Sequence, residues 1–153
     1  MFIFFLFRVN LVIHYDQHFR EKFTTGSLNK LRYIINLAKV LFAYPQLNTH
    51  IDLIVTKEYS LSGRINPTVD LANLKQFTTD KHPDYADVYL YMSVLDPGSN
   101  VGGLAAGIGT VCAFIKGYRT AIVEYYQNDI FTANVKRTHR YVIVKYYNDR
   151  RFM

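Results

Sequence analysis

A single cysteine, Cys112, stands in a chain of 153 residues, so no disulfide can close within it, and cysteine usage says nothing of its redox compartment. No stretch reaches the roughly 18 to 20 uninterrupted apolar residues of a membrane-spanning helix, so a span is not expected and a soluble or secreted domain fits. The apolar opening from Met1 to Phe7 has no basic region ahead of it. It meets Arg8 and Asn10 at once and shows no small-residue cleavage site, so it does not read as a working signal peptide. Internal repeats and low-complexity segments are absent as well.

Half of the residues are hydrophobic, and the 13 tyrosines and 11 phenylalanines suit packed sheets better than disorder. The length fits one globular domain with a substantial core. A formal charge of +6 raises nucleic acid as a partner, but its distribution argues otherwise. Residues 1–133 carry 12 Lys/Arg and 11 Asp/Glu, a net of +1, whereas residues 134–153 carry 6 Lys/Arg against Asp149 alone, a net of +5. The basicity belongs to the tail, where solvated charge is the simpler reading of Lys136, Arg137, Arg140, Lys145, Arg150 and Arg151 than specific nucleic-acid binding.

The β-branched run Val9 to Tyr15 predicts a strand, followed by a turn or short helix up to Gly26. From Ser27, a good N-cap, Leu28, Leu31, Ile34, Ile35, Ala38, Leu41 and Phe42 recur at helical spacing until Tyr44, where Pro45 forbids continuation. Ile51 to Thr56 reads as a second strand, and Ser62, Gly63 and Asn66 as a loop. Asn66 then caps a helix with Pro67 at its first position and Leu71, Leu74 and Phe77 as its apolar stripe, ended by His82-Pro83. Ala86 to Leu95 is apolar and aromatic nearly throughout, as for a strand covered on both faces. After the turn cluster at 96–100 comes the glycine-rich run Val101 to Cys112, and Tyr118 to Tyr125 reads as a last strand. Alternating strands and helices imply an α/β fold: a mixed, mostly parallel twisted sheet with helices on both faces and an antiparallel edge strand.

The glycine run leaves several readings open. A dinucleotide-binding loop would need, beyond Gly107 and Gly109, a small residue at 112 and an acid about twenty residues later, but position 112 is Cys112 and β-branched residues follow. A glycine-containing edge strand with no ligand is a second reading. The third rests on likeness. Gly103-Leu104-Ala105, Gly109-Thr110-Val111-Cys112 and Ala121-Ile122-Val123-Glu124 resemble the succession GLA, GTVC, SIVED of the reprolysin (adamalysin-like) branch of the metzincin zinc metalloendopeptidases. Leu11 to Asp16 is similar to that family's VVVDY strand, the helix to Tyr44 to its first helix, Ile51 to Lys57 to its second strand, and Ala86 to Leu95 to its YDMAVLMTGLD strand. The likeness runs from residue 9 to about residue 132, roughly the first two thirds of such a catalytic domain.

The resemblance implies that Gly103, Leu104 and Ala105 form an edge strand running antiparallel to an extended peptide or protein substrate. The physics agrees, because an open edge presents N–H and C=O groups to an extended chain and glycine lets backbones approach. It also implies zinc as cofactor, an extracellular setting, and a disulfide partner for Cys112 that this chain lacks. The zinc machinery itself is missing. H-E-x-x-H-x-x-G-x-x-H, whose histidines hold the metal while glutamate activates a water, has no match. Near its expected place stands His139, with Arg140 for the glutamate and Ile143, Tyr146 and Asp149 for the second histidine, the glycine and the third histidine. His14 and His18 are spaced i, i+4, but Tyr15 stands where a zincin has glutamate and Gln17 is no base, so strand-end packing is the simpler reading.

Residues 1–8 therefore read as a non-native leader, 9–133 as a partial reprolysin-like domain and 134–153 as a tail outside the family pattern, as in an incomplete gene model. No catalytic or metal-binding residue is assigned, and no zinc is expected on the chain as given. The expectation is a relative of secreted metalloendopeptidases that is inactive as given, or a pseudoprotease that binds peptides along its edge strand.

Overall fold

A computed structural model describes residues 5–42, 49–94, 103–106 and 114–125. Its order is β1 (Phe5–Tyr15), α1 (Gln17–Phe23), α2 (Ser27–Phe42), β2 (Thr49–Ser60), α3 (Pro67–Asp80), β3 (Val88–Val94), β4 (Gly103–Ala105), a 3-10 turn (Lys116–Arg119) and β5 (Thr120–Tyr125). The strands make one sheet in the order β2-β1-β3-β5-β4. All neighbours run parallel except β4, which is antiparallel to β5. This is the mixed α/β architecture the alternation of elements predicts.

Element boundaries differ from the sequence expectation where pairing, not propensity, decides. Strand β1 begins at Phe5, so residues 5–8 run in the sheet beside residues 49–52 of β2, and Phe7 packs against the core. Strand β2 is correspondingly longer than the Ile51–Thr56 run. The last strand is shorter, because Lys116 to Arg119 turn as a 3-10 segment before β5 starts. Helix α2 starts at Ser27 itself, with the Gly26 carbonyl accepting from Lys30 N–H at 2.8 Å. On α3, Leu71 and Leu74 pack on the sheet, but Phe77 is exposed and Thr78 is buried in its place. The threonine wins that position because its hydroxyl bonds both Leu74 O and Tyr91 Oη, at 2.7 and 2.8 Å.

Two cores result from the pleat. Toward α2 point Val9, Leu11, Ile13, Leu53, Leu90, Met92 and Val123, meeting Leu31, Ile34, Ile35 and Ala38. Toward α3 point Val12, Tyr89, Tyr91 and Ile122, meeting Leu71 and Leu74. An irregularity in β2 decides which face its later residues join. Leu11 pairs with Val55 and Val12 with Lys57, so Thr56 is skipped and its hydroxyl bonds Leu11 O at 3.0 Å. Because one extra residue reverses the alternation, Leu53 and Val55 face α2 whereas Tyr59 faces α3.

Asp16 fastens the ends of the strands together. It caps α1 by accepting from Phe19 N–H at 2.8 Å, and its other oxygen accepts from Ile65 N–H at 2.9 Å and Ser93 Oγ at 2.6 Å. Buried carboxylates need such partners, and this one joins β1, β3 and the loop after β2. Gly117 closes the other end of the sheet. A Cβ at this position would collide with Thr79 Oγ1 and Lys75 O, so only glycine lets the 3-10 turn sit on α3.

Candidate functional site

Strand β4 is the short outer rail of the sheet. Gly103 lies opposite Val123, Leu104 opposite Ile122 and Ala105 opposite Ala121, and Ala106 N–H donates to Thr120 O at 3.0 Å. That last bond fixes the phase of the ladder. In an antiparallel pair, opposed residues alternate between bonded and non-bonded positions. With Ala106 and Thr120 bonded, Leu104 and Ile122 are bonded too, so the N–H and C=O groups of Gly103 and Ala105 point away from β5. No described strand lies on that side. Leu104 shares the face of Ile122 toward α3, while Ala105 packs on the α2-side core. All three residues sequence reasoning singled out thus lie together on one edge, half-buried, with two of them offering backbone groups outward.

Other expected residues fall differently. Cys112, His139 and the tail 134–153 lie outside the described residues. Among the described residues no three His, Cys, Asp or Glu side chains gather to hold a metal. His14 and His18 are parted by the Asp16 cap, one ending a strand and the other on α1. His14 pairs instead with His82, their Nε2 atoms 3.1 Å apart and their rings at 86°.

This pair is a feature that sequence reasoning missed, since His82 reads simply as a helix terminator before Pro83. His14 is 2% exposed, stacked on Tyr91 at 4.4 Å and on Tyr59 at 5.2 Å, the ring that the β2 irregularity turns toward it. Around them Tyr59 Oη donates to the Asp84 carboxylate, and Tyr89 Oη donates to Asp84 O at 2.8 Å. Burial, reinforced by His82, pushes the His14 imidazole down to about 3, with Asp84 opposing. Burial also lowers His82, against the Asp84 backbone and carboxylate and in concert with Lys116. The Tyr91 phenol is pushed up to about 12 by burial, with Thr78 opposing. Both imidazoles are therefore neutral at physiological pH, built into the packing and not poised as bases.

Fold and site together define an α/β domain with a mixed five-stranded sheet and an antiparallel edge on which, among the described residues, no further strand sits. No protein-family model matches the chain, and no curated protein matches it either. Among solved structures it is similar to a chain described under "Structure of a chaperone-substrate complex", with a TM-score of 0.62 at 12% sequence identity. The match covers 87% of this chain and 25% of that one, so this chain spans about a quarter of its length. At such identity the likeness shows the fold alone.

Proposed function

We propose that this chain is the sheet-bearing part of a reprolysin-like metalloendopeptidase domain of secreted type, and that it holds an extended peptide antiparallel along β4. The observation that carries the binding half is the ladder phase: Gly103 and Ala105 aim N–H and C=O groups at a position that no described strand fills. The lineage half rests on the ordered GLA, GTVC and IVE segments, of which the first and third form the adjacent strands β4 and β5. Hydrolysis is not assigned to these residues. The zinc-binding sequence is absent, and the described histidines and carboxylates do not gather as ligands, so no step is routed through the metal.

The ladder phase supplies its own test. In Ala105→Pro the lost N–H is one that β5 does not use, so the sheet survives while the outward donor disappears. In Leu104→Pro the lost N–H is the one bonded to β5. A random-peptide display library selects binders, and the strongest is measured as a fluorescein-labelled peptide by anisotropy. Ala105→Pro is expected to bind at least tenfold more weakly with an unchanged melt, and Leu104→Pro to lower the melt itself. Absence of any binder, or equal affinity of wild type and Ala105→Pro, defeats the reading.

A further inference from the structure

We propose that the His14–His82 contact is a proton-counting latch that ties the end of β1 to the connection between α3 and β3, and that acid releases this connection. Two imidazole nitrogens 3.1 Å apart hold one proton between them: one Nε2 donates and the other must be bare. The partners assign which is which. Asp84 N–H donates to His82 Nδ1 at 3.2 Å, and Asp84 O already accepts from Tyr89 Oη. His82 therefore carries its proton on Nε2 and donates to His14. His14 carries its own proton on Nδ1, a buried atom with no hydrogen-bond partner.

The first added proton is tolerated. It goes to His82 Nδ1, which gives up the bond from Asp84 N–H and donates to Asp84 O at 3.3 Å instead, while Nε2–H still donates to His14. A second, on His14, sets two N–H groups head to head in a site lined by Tyr59 and Tyr91, and the contact must part. What parts with it is the short connection between α3 and β3. Pro83 and Tyr85 are exposed and Asp84 is half-buried, between buried His82 and Ala86. Residues 82–86 are moored by polar bonds from every side: His14 of β1, Tyr59 of β2, Tyr89 of β3, whose Oη accepts from Ala86 N–H and donates to Asp84 O, Lys116 Nζ to His82 O at 2.9 Å, and Arg119 to Ala86 O at 3.0 Å. Arg119 also lies over the Tyr85 ring at 4.7 Å. The charged and titratable groups facing the pair are thus Asp84, Tyr59, Tyr89, Tyr91 and Lys116. Asp84 relieves a positive charge on the pair and Lys116 opposes it. Segments held this way open below the global unfolding free energy.

Long-range proton–nitrogen NMR on the full chain with 15N-labelled histidine reads the latch directly. At neutral pH the expected result is His82 protonated at Nε2 and His14 at Nδ1. Hydrogen-exchange protection of the Asp84 and Ala86 amides, which donate to His82 Nδ1 and Tyr89 Oη, is then expected to fall at least tenfold on acidification toward pH 4 and to stay below that of the α2 amides, which report global unfolding at each pH. In His14→Phe, which keeps the ring stack and removes the proton site, that fall is expected to shrink below twofold. The proposal is overturned by the same tautomer on both rings, by metal-shifted histidine signals in the purified protein, or by Asp84 and Ala86 protection equal to that of α2 throughout the titration. The tautomer measurement uses wild type alone, so a misfolded variant leaves it standing.

Discussion

The two faces of the sheet are built on different chemistry. Against α2 the contacts are carbon on carbon: Ile13, Leu90, Met92 and Val123 close on Leu31, Ile34 and Ala38, and Phe19 fits among the rings of Tyr15, Phe23 and Tyr125. Against α3 the same strands present His14, Tyr89 and Tyr91, which meet Thr78, His82 and Asp84 through hydrogen bonds as well as packing. Burial is nearly complete on both sides, so the difference is not one of dryness. One face depends on shape, which pH does not alter, and the other on where protons sit.

The largest expected effect breaks the apolar face. Phe19 is fully buried, and Phe19→Ala is expected to cost about 3–5 kcal/mol in urea unfolding, from lost transfer energy and the cavity left behind. The loss should be equal at neutral and mildly acidic pH, since the rings that border Phe19 are those of Tyr15, Phe23 and Tyr125. A cost below about 1 kcal/mol would mean that the α2 face does not depend on shape.

On the opposite face the expected response is to pH. The folded His14 value of about 3 lies below the ordinary 6.5, so between these limits the unfolded chain binds the proton first. Stability from this site is therefore fully present above about pH 6.5, falls as pH drops, and levels off near pH 3, a loss on the order of a few kcal/mol. His82 shifts in the same direction. Urea midpoints across that window check the sign, with His14→Phe flattening the slope. A wild-type midpoint that rises on acidification contradicts the contrast between the faces.

How much of this the sequence discloses obeys the same division. Strands and helices that bury apolar stripes are legible because periodicity records them: Leu31, Ile34, Ile35 and Ala38 are read as a face and are one. The antiparallel edge strand expected of such a sheet is found at Gly103 to Ala105, beside β5. The histidine pair is not legible, since His14 and His82 are 68 residues apart and meet only once β1 and the α3–β3 connection are folded. Their setting also depends on the skipped Thr56, which no period predicts, because it interrupts the alternation that would have turned Tyr59 to the other side. Thr78 shows the same limit on one helix turn. A hydroxyl ranks as polar in any pattern, and only the Tyr91 phenol across from it makes the buried position favourable.

That pairing gives the smallest and most discriminating comparison. Thr78 Oγ1 donates to Leu74 O, so its oxygen accepts from the Tyr91 phenol. Tyr91→Phe removes a donor but leaves the threonine proton satisfied, and the expected cost is about 1 kcal/mol. Thr78→Val instead strands a buried phenol O–H without its acceptor, for an expected cost of about 1–3 kcal/mol despite the conserved shape. Because the phenol is held at about 12, neither change should tilt the pH dependence between 3 and 6.5, which belongs to the imidazoles. Equal costs for the two variants would make Thr78 and Tyr91 packing partners alone. A changed pH slope in Tyr91→Phe would instead show that the stacked phenol, and not the His82 contact, governs the proton on His14.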